Sequence, residues 1–175
     1  TNQDTNIKRK RETMIANYQP INDIELAKLR KMNEEDMLEA IEEMQDEADK
    51  LLDIDEMWDA MHFLFTGVRA FEQEGENLLS EAVIGEYVLD TEEYIGYSSK
   101  ERVKDIAERL EQTDFAELSK DFQFFSLYQA EVYPNRWKKE TEESVLQELQ
   151  DYFDMMKQFY SDMAKENKNV LVSIY

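Results

Sequence analysis

The spacing of apolar residues predicts helices in the middle of the chain and strands at both ends. In segment 141–166 they recur every three or four residues, in the order Val145, Leu149, Tyr152, Met156, Phe159 and Met163. This spacing predicts one long helix with a buried face. Segments 14–19 and 169–175 are instead short and rich in β-branched or aromatic residues, which is typical of strands.

Polar residues with the spacing of helix caps divide the rest of the chain. Three pairs have the capping-box spacing: Asn22 with Glu25, Asp53 with Glu56, and Ser98 with Glu101. Gly67 is expected to end the helix that starts after Asp53. Further helices are predicted at 34–49 and 114–121, a loop at 68–80 and a strand at 93–99, while 81–89 stays open between helix and strand.

Together these elements predict one α+β domain over residues 14–175. It is mostly helical, with a small mixed β-sheet that includes both terminal strands. Residues 1–13 are almost free of apolar residues, so we expect a flexible tail there. The basic cluster at 8–11 within this tail is either a docking patch or a segment that folds back loosely on an acidic body.

Charge narrows the range of partners. The 175 residues include 41 acidic and 20 basic ones, for a net charge of −21. Nucleic acid and anionic membrane surfaces would repel this chain, so neither is predicted as a partner. A basic protein or a cation is the electrostatic complement, although the charge can also serve solubility alone. The absence of cysteine suits a reducing compartment, and with no membrane-spanning segment it favours a cytoplasmic location.

The acidic residues are concentrated between positions 34 and 59, where 13 of them accompany one basic residue, Lys50. Several stand four residues apart on a predicted helix, and each such like-charge pair costs about 0.2–0.5 kcal/mol in an isolated helix. A basic partner or lysines elsewhere in the fold would relieve this repulsion. The candidate partner-binding residues are Glu39, Glu42, Glu43 and Asp46. The alternative is a solvated acidic helix without a partner.

The segment "WDAMHFLFTG" (58–67) contains the only histidine. Its helix is apolar around most of its circumference, which favours a buried, hydrogen-bonded His62 over a catalytic one. A ligand pocket is the other interpretation, and its candidate residues are Trp58, His62, Thr66, Glu86, Tyr97 and Tyr133. No catalytic residue is predicted. Without cysteine, and without the glycine and spacing of a calcium loop at "DIDE" (53–56), no metal or other cofactor is predicted either.

Several ordered motifs resemble the YfbM-like family of bacterial domains of unknown function. They are "MIANYQPI" (14–21), "LDIDEMWDAMHFLFTG" (52–67), "LLSEAVIGEYVL" (78–89), "YIGYSSKERVKDIAERL" (94–110) and "EVYP" (131–134). The resemblance implies a compact layered domain of helices around a small sheet over residues 14–175. It implies no established reaction, substrate or cofactor.

Two hypotheses of function follow. The first is a non-catalytic binding domain whose acidic face engages a basic protein, as inhibitor or immunity-type proteins do. The second is an enzyme or small-ligand-binding protein with a pocket around Trp58, His62 and Glu86. The absence of a catalytic signature such as G-x-S-x-G favours the first.

Overall fold

A five-stranded antiparallel sheet forms the centre of the fold. A computed structural model describes residues 13–175, so the flexible tail predicted for 1–13 lies almost wholly outside the described residues. The strands are β1 (Ala16–Ile21), β2 (Leu52–Asp53), β3 (Tyr87–Val88), β4 (Tyr94–Ser98) and β5 (Asn169–Ile174). Their order across the sheet is β2-β1-β5-β4-β3.

The two terminal strands lie in one sheet, as the sequence predicted, and the structure shows that they are neighbours. β1 pairs with β5 along its whole length, from Ala16 opposite Ile174 to Ile21 opposite Asn169. The prediction of a mixed sheet was wrong, because every pairing between the described strands is antiparallel. A hydrophobic pattern marks where a strand lies but carries no information on its direction, which depends on how the connections return to the sheet.

Eight α-helices surround the sheet in the described part of the chain. They are α1 (Asp23–Leu29), α2 (Glu34–Glu47), α3 (Trp58–Thr66), α4 (Leu78–Ile84), α5 (Lys100–Glu111), α6 (Phe115–Lys120), α7 (Phe125–Gln129) and α8 (Glu142–Lys165). The long helix predicted at 141–166 is confirmed. The loop predicted at 68–80 holds a 3₁₀ turn at Ala70–Glu72 and the start of α4, and the open segment 81–89 divides between α4 and β3.

Both faces of the sheet are buried, which makes three layers. Val170, Val172 and Ile174 of β5 pack into the core that holds the buried residues of α3–α8. Leu171, between them, faces the smaller core formed with α1 and α2. This alternation follows from the two-residue period of a strand. The predicted α+β class, with helical layers around a small sheet, is confirmed.

The helix start at Asn22 and the helix end at Gly67 are where local patterns predicted them. The Asn22 side chain accepts a hydrogen bond from the Glu25 N–H (2.8 Å), and the Glu25 carboxylate accepts one from the Asn22 N–H (3.0 Å). Gly67 ends α3 with a φ of 80°. A left-handed residue of this kind favours glycine.

Two predicted caps are wrong. Asp53 lies in β2, where its carboxylate accepts from the N–H of Asp55 (2.8 Å), and a 3₁₀ turn precedes α3. Helix α5 is capped by Ser99, whose hydroxyl accepts from the Arg102 N–H (3.3 Å). Ser98 is still in β4, because sheet pairing with β5 continues to that residue.

Candidate functional site

The four candidate partner-binding residues lie together on the solvent side of α2. Glu39, Glu42, Glu43 and Asp46 are all exposed, and their spacing of three and four residues places them along one side of the helix. We call these four residues the α2 acidic face. Within residues 13–175 no lysine or arginine forms an ion pair with any of them.

Helix α2 is held in place by its opposite side. Met37 and Ile41 are buried against the sheet, and the carbonyl of Ile41 accepts a hydrogen bond from the buried Gln19 amide of β1 (3.3 Å). The Gln45 amide in turn donates to the Gln19 side-chain oxygen (3.0 Å). These contacts fix the rotation of α2 about its axis, so the acidic face is directed to solvent.

The acidic surface continues beyond α2 onto the turn between β3 and β4. The Glu34 carboxylate accepts hydrogen bonds from the N–H groups of Glu92 (2.5 Å) and Glu93 (3.3 Å). Burial raises the pKa of Tyr175 to about 12, and the charges of Glu42 and Glu93 act in the same direction. Tyr175 is thus close to acidic residues of α2 and of the turn. Acidic groups from two separate segments therefore share one side of the molecule.

The acidic run 34–59 does not form one continuous surface, contrary to its treatment as a single segment in the sequence. Asp59 is only 4% exposed. Its two carboxylate oxygens accept from the N–H groups of Ala70 (2.7 Å) and Tyr133 (2.9 Å), so it holds two loops to α3. Glu56 forms an ion pair with Arg136. The part of the run on α2 lies at the surface, and the four residues of the α2 acidic face have no ion-pair partner within residues 13–175.

His62 is fully buried, with 0% of its surface exposed. Its Nδ1 lies 2.8 Å from the Val68 carbonyl oxygen, which only accepts, so Nδ1 carries the proton. Its Nε2 therefore accepts from the Ser80 hydroxyl at 2.7 Å. The Thr66 hydroxyl donates to the His62 carbonyl (2.9 Å). Burial lowers the pKa of His62, with the Val68 hydrogen bond and the Asp59 charge acting in the opposite direction.

Trp58 and Tyr133 form a second group near the start of β1. Their rings stack with centroids 5.1 Å apart. The Trp58 indole N–H donates to the Met14 carbonyl (2.9 Å), and the Met14 N–H donates to the Tyr133 hydroxyl (2.6 Å). The pair thus anchors the chain just before the sheet begins.

Glu86 and Tyr97 form a third group at the β3–β4 end of the sheet. One Glu86 carboxylate oxygen accepts from both the N–H (3.0 Å) and the hydroxyl (2.9 Å) of Ser99. The Tyr97 ring contacts the Tyr87 ring (5.2 Å) and lies under the Arg30 guanidinium (5.6 Å). The six pocket candidates are thus distributed over three places in the fold.

A cavity of about 240 Å³ lies beside the third group. Among its lining residues are Glu76, Ser80, Glu81, Glu86, Tyr87 and Tyr94. Glu86 is the one pocket candidate that lines it, while His62 lies behind Ser80. Glu81 is buried and forms a bidentate ion pair with Arg102 at 2.7 Å for each contact.

Sequence reasoning did not find Ser80, Asp59 or the Glu81–Arg102 pair. Ser80 and His62 are 18 residues apart, and Glu81 and Arg102 are 21 apart. No local spacing rule connects such positions, because their contacts depend on how α4 packs against α3 and α5.

A second cavity, of about 540 Å³, is lined by aromatic residues of 124–137 on the other side of the sheet from α2.

Neither a metal site nor a membrane span is found in the described part of the chain. Residues 13–175 contain no group of three or more histidine, aspartate or glutamate side chains placed to hold a metal ion. None of the helices in that range is both long and apolar enough to cross a bilayer.

Comparison with known proteins identifies the family. The chain is 30% identical over 126 residues to Protein YfbM of Escherichia coli (strain K12), which covers 70% of this chain and 75% of that protein. A crystal structure of YfbM from Escherichia coli, described as a protein of unknown function, matches with a TM-score of 0.77 at 26% identity. That match covers 92% of this chain and 99% of the YfbM chain. A family model described as "Domain of unknown function (DUF1877)" matches residues 13–173, and the protein therefore belongs to the DUF1877 family.

Proposed function

We propose that this protein is a non-catalytic binding domain that engages a basic protein through the α2 acidic face. The single observation that carries the proposal is the set of four exposed carboxylates on one helix side that form no ion pair within residues 13–175. The proposed setting is the cytoplasm. Neither a nucleic acid nor a cofactor is part of the proposal.

Several acidic groups outside the α2 acidic face have cationic partners. Lys50 lies just after α2, yet its ammonium contacts Asp162 of α8 (3.8 Å) and Glu166, which follows that helix (3.1 Å). Lys100 contacts Asp23 at 2.8 Å. The α2 acidic face keeps its repulsion, and a positively charged partner surface would relieve it. Complementary charge of this kind speeds encounter and selects against partners of the wrong sign.

The second hypothesis, a small-ligand pocket around Trp58, His62 and Glu86, has weaker support. The three residues lie in three different places, and both ring nitrogens of His62 already have hydrogen-bond partners. Its remaining support is the cavity of about 240 Å³ that Glu86 lines.

The experiment is a capture assay with matched charge variants. The α2 variant carries Glu39→Gln, Glu42→Gln, Glu43→Gln and Asp46→Asn. The α5 control carries Glu101→Gln, Asp105→Asn, Glu108→Gln and Glu111→Gln. These control positions are also exposed, but α5 covers the opposite face of the sheet. Both variants lose four negative charges, so they share the same net charge.

Each form is immobilised and incubated with bacterial lysate at low and high salt. The proposal expects wild type and the α5 control to retain the same basic proteins at low salt, and the α2 variant to lose them. High salt should release them from all forms because it screens the attraction. Equal capture by the two variants, or no capture by wild type at low salt, would contradict the proposal.

A further inference from the structure

We infer that the outer edge of β3 binds an extended basic segment of the partner, which adds to the sheet as a sixth strand beside β3. The inference rests on the proposed function, from which it takes the positive charge of the partner. It adds a second contact site and a required backbone conformation, which the α2 acidic face alone does not specify.

The strand β3 has one unpaired edge. It is the last strand in the sheet order, and among the described strands it pairs with β4 only. Backbone hydrogen bonds extend this pairing on both sides, from the Glu86 N–H to the Tyr97 carbonyl (3.0 Å) and from the Leu89 N–H to the Ile95 carbonyl (2.8 Å). The edge available to a new strand therefore spans residues 86–89.

The backbone of Val88 points away from β4. The Leu89 N–H bonds inward, and successive residues of the regularly paired stretch 87–89 direct their backbone groups to opposite sides, whereas Glu86 precedes that stretch. The N–H and carbonyl of Val88, which stands opposite Gly96, are therefore directed to the open edge. An extended peptide laid along β3 would bond to both, as in other cases of strand addition.

The β3 edge is short, at two residues, but its strand residues carry neither the charge nor the proline that often protects an edge strand. Natural edges carry charged side chains, proline or a covering element. At this edge the two strand residues are Tyr87 and Val88, and they are 53% and 60% exposed. At the other end of the sheet, β2 ends in the charged Asp53 and its Leu52 is buried. Of the two edges, β3 is the one that offers apolar contact to a partner.

The surroundings of β3 specify a basic peptide. The cavity of about 240 Å³ next to the strand is lined by Glu76, Glu86 and Tyr94 and by the strand residues Tyr87 and Val88. Carboxylates with aromatic faces suit a lysine or arginine side chain, which gains both ion pairing and cation–π contact. Ser99 holds the Glu86 carboxylate by two hydrogen bonds, so that group is already oriented.

The β3 edge also continues into the α2 acidic face. The turn that follows β3 is bonded to Glu34 at the start of α2 through the N–H groups of Glu92 and Glu93. A peptide on β3 that continues past this turn would therefore reach the start of α2. Since side chains alternate along a strand, the fitting segment has a basic residue at every second position.

The test uses a capped nonapeptide of alternating lysine and threonine, with an alternating glutamate–threonine peptide as control. Hydrogen exchange of the full chain, read residue by residue by NMR, follows the Val88 amide at low salt. We expect the lysine peptide to slow exchange at Val88 by about tenfold or more at saturation, because strand addition protects this N–H. The glutamate peptide should have no effect.

Two variants separate backbone from side-chain recognition. Val88→Pro removes the outward N–H and leaves the inward pairing of residues 86 and 89 with β4, so it should abolish binding at the edge. Val88→Thr keeps the N–H and the preference for strand, so it should still bind the lysine peptide at the β3 edge. Thermal melts of both variants establish that they fold. Wild-type exchange at Val88 gives an answer that depends on neither variant.

The outcomes distinguish this inference from the proposed function. If the lysine peptide perturbs α2 but leaves Val88 exchange unchanged, or does not bind, strand addition is wrong. Binding to Val88→Pro with wild-type affinity contradicts it as well. If Val88 is protected and the α2 variant captures partners as well as wild type does, strand addition stands and the α2 proposal fails.

Discussion

Glu34 at the start of α2 accepts a hydrogen bond of 2.5 Å from the backbone N–H of Glu92, 58 residues later in the chain. This contact joins the helix layer formed by α1 and α2 to the turn between β3 and β4. Like-charged side chains on both segments would otherwise separate them, so the hydrogen bond determines that the acidic groups share one surface.

Replacing Glu34 should loosen this junction. We expect Glu34→Ala to lower the free energy of unfolding by about 1 kcal/mol, the usual net contribution of one hydrogen bond. Denaturant titration measures the loss, and faster hydrogen exchange at Glu92 and Glu93 locates it. Glu35→Ala is the matched control, since it removes an exposed carboxylate from the same helical turn. An equal loss in both variants would mean that the junction contributes nothing.

His62 should be a stability residue. Its ring fills the core beside Ser80, and both nitrogens are hydrogen-bonded. His62→Ala should lower the free energy of unfolding by about 1–3 kcal/mol, from the cavity and the lost hydrogen bonds together. Ser80→Ala should be destabilising too, because it leaves the buried Nε2 without a donor. A His62→Ala protein as stable as wild type in denaturant titration would assign this histidine another role.

The free energy of unfolding should decrease as the pH is lowered through the range where an ordinary histidine takes up a proton. Burial lowers the pKa of His62, so below about pH 6.5 the unfolded chain takes up a proton that the folded protein does not. The stability contribution is complete above pH 6.5 and is lost as the pH falls toward the folded-state pKa, by at most about 1.4 kcal/mol per pH unit. His62 is the only histidine, so His62→Gln should remove this slope between pH 7.5 and about 5.5. The same slope in the variant would contradict the assignment.

The like charges of the α2 acidic face should lower the stability of the isolated protein at low salt. The α2 variant removes like-charge neighbours at helical spacing, so at low salt it should be more stable than wild type by about 1 kcal/mol. This difference should shrink in high salt, which screens the repulsion. The α5 control should gain less, since Lys104 already stands four residues before Glu108 in that helix. Thermal unfolding of the three forms in a salt series provides the comparison.

The sequence predicted the features that depend on neighbouring residues. The Asn22–Glu25 capping box, the helix end at Gly67 and the long helix α8 are confirmed, because each follows from local spacing. The Asp53 cap was wrong because Asp55 takes a positive φ of 51° and the chain enters a 3₁₀ turn before α3. No pattern in the sequence distinguishes this turn from a capped helix start.

The candidate site was predictable only in part, for a physical reason. The exposure of the α2 acidic face follows from helical period, since Met37 and Ile41 mark the buried side. Pairings such as His62 with Ser80 depend on how separate helices pack together. Asp59 belonged to the same acidic run in the sequence, yet the fold uses it as a buried acceptor for two loops. Charge alone does not reveal which carboxylates are buried.

The most direct test is the affinity of one captured basic protein, purified and titrated by calorimetry into wild type, the α2 variant and the α5 control. At low salt, binding by the α2 face predicts equal affinity for wild type and the α5 control, and affinity weaker by about tenfold or more for the α2 variant. High salt should reduce the difference. Equal affinity of all three forms at low salt would contradict binding through the α2 acidic face.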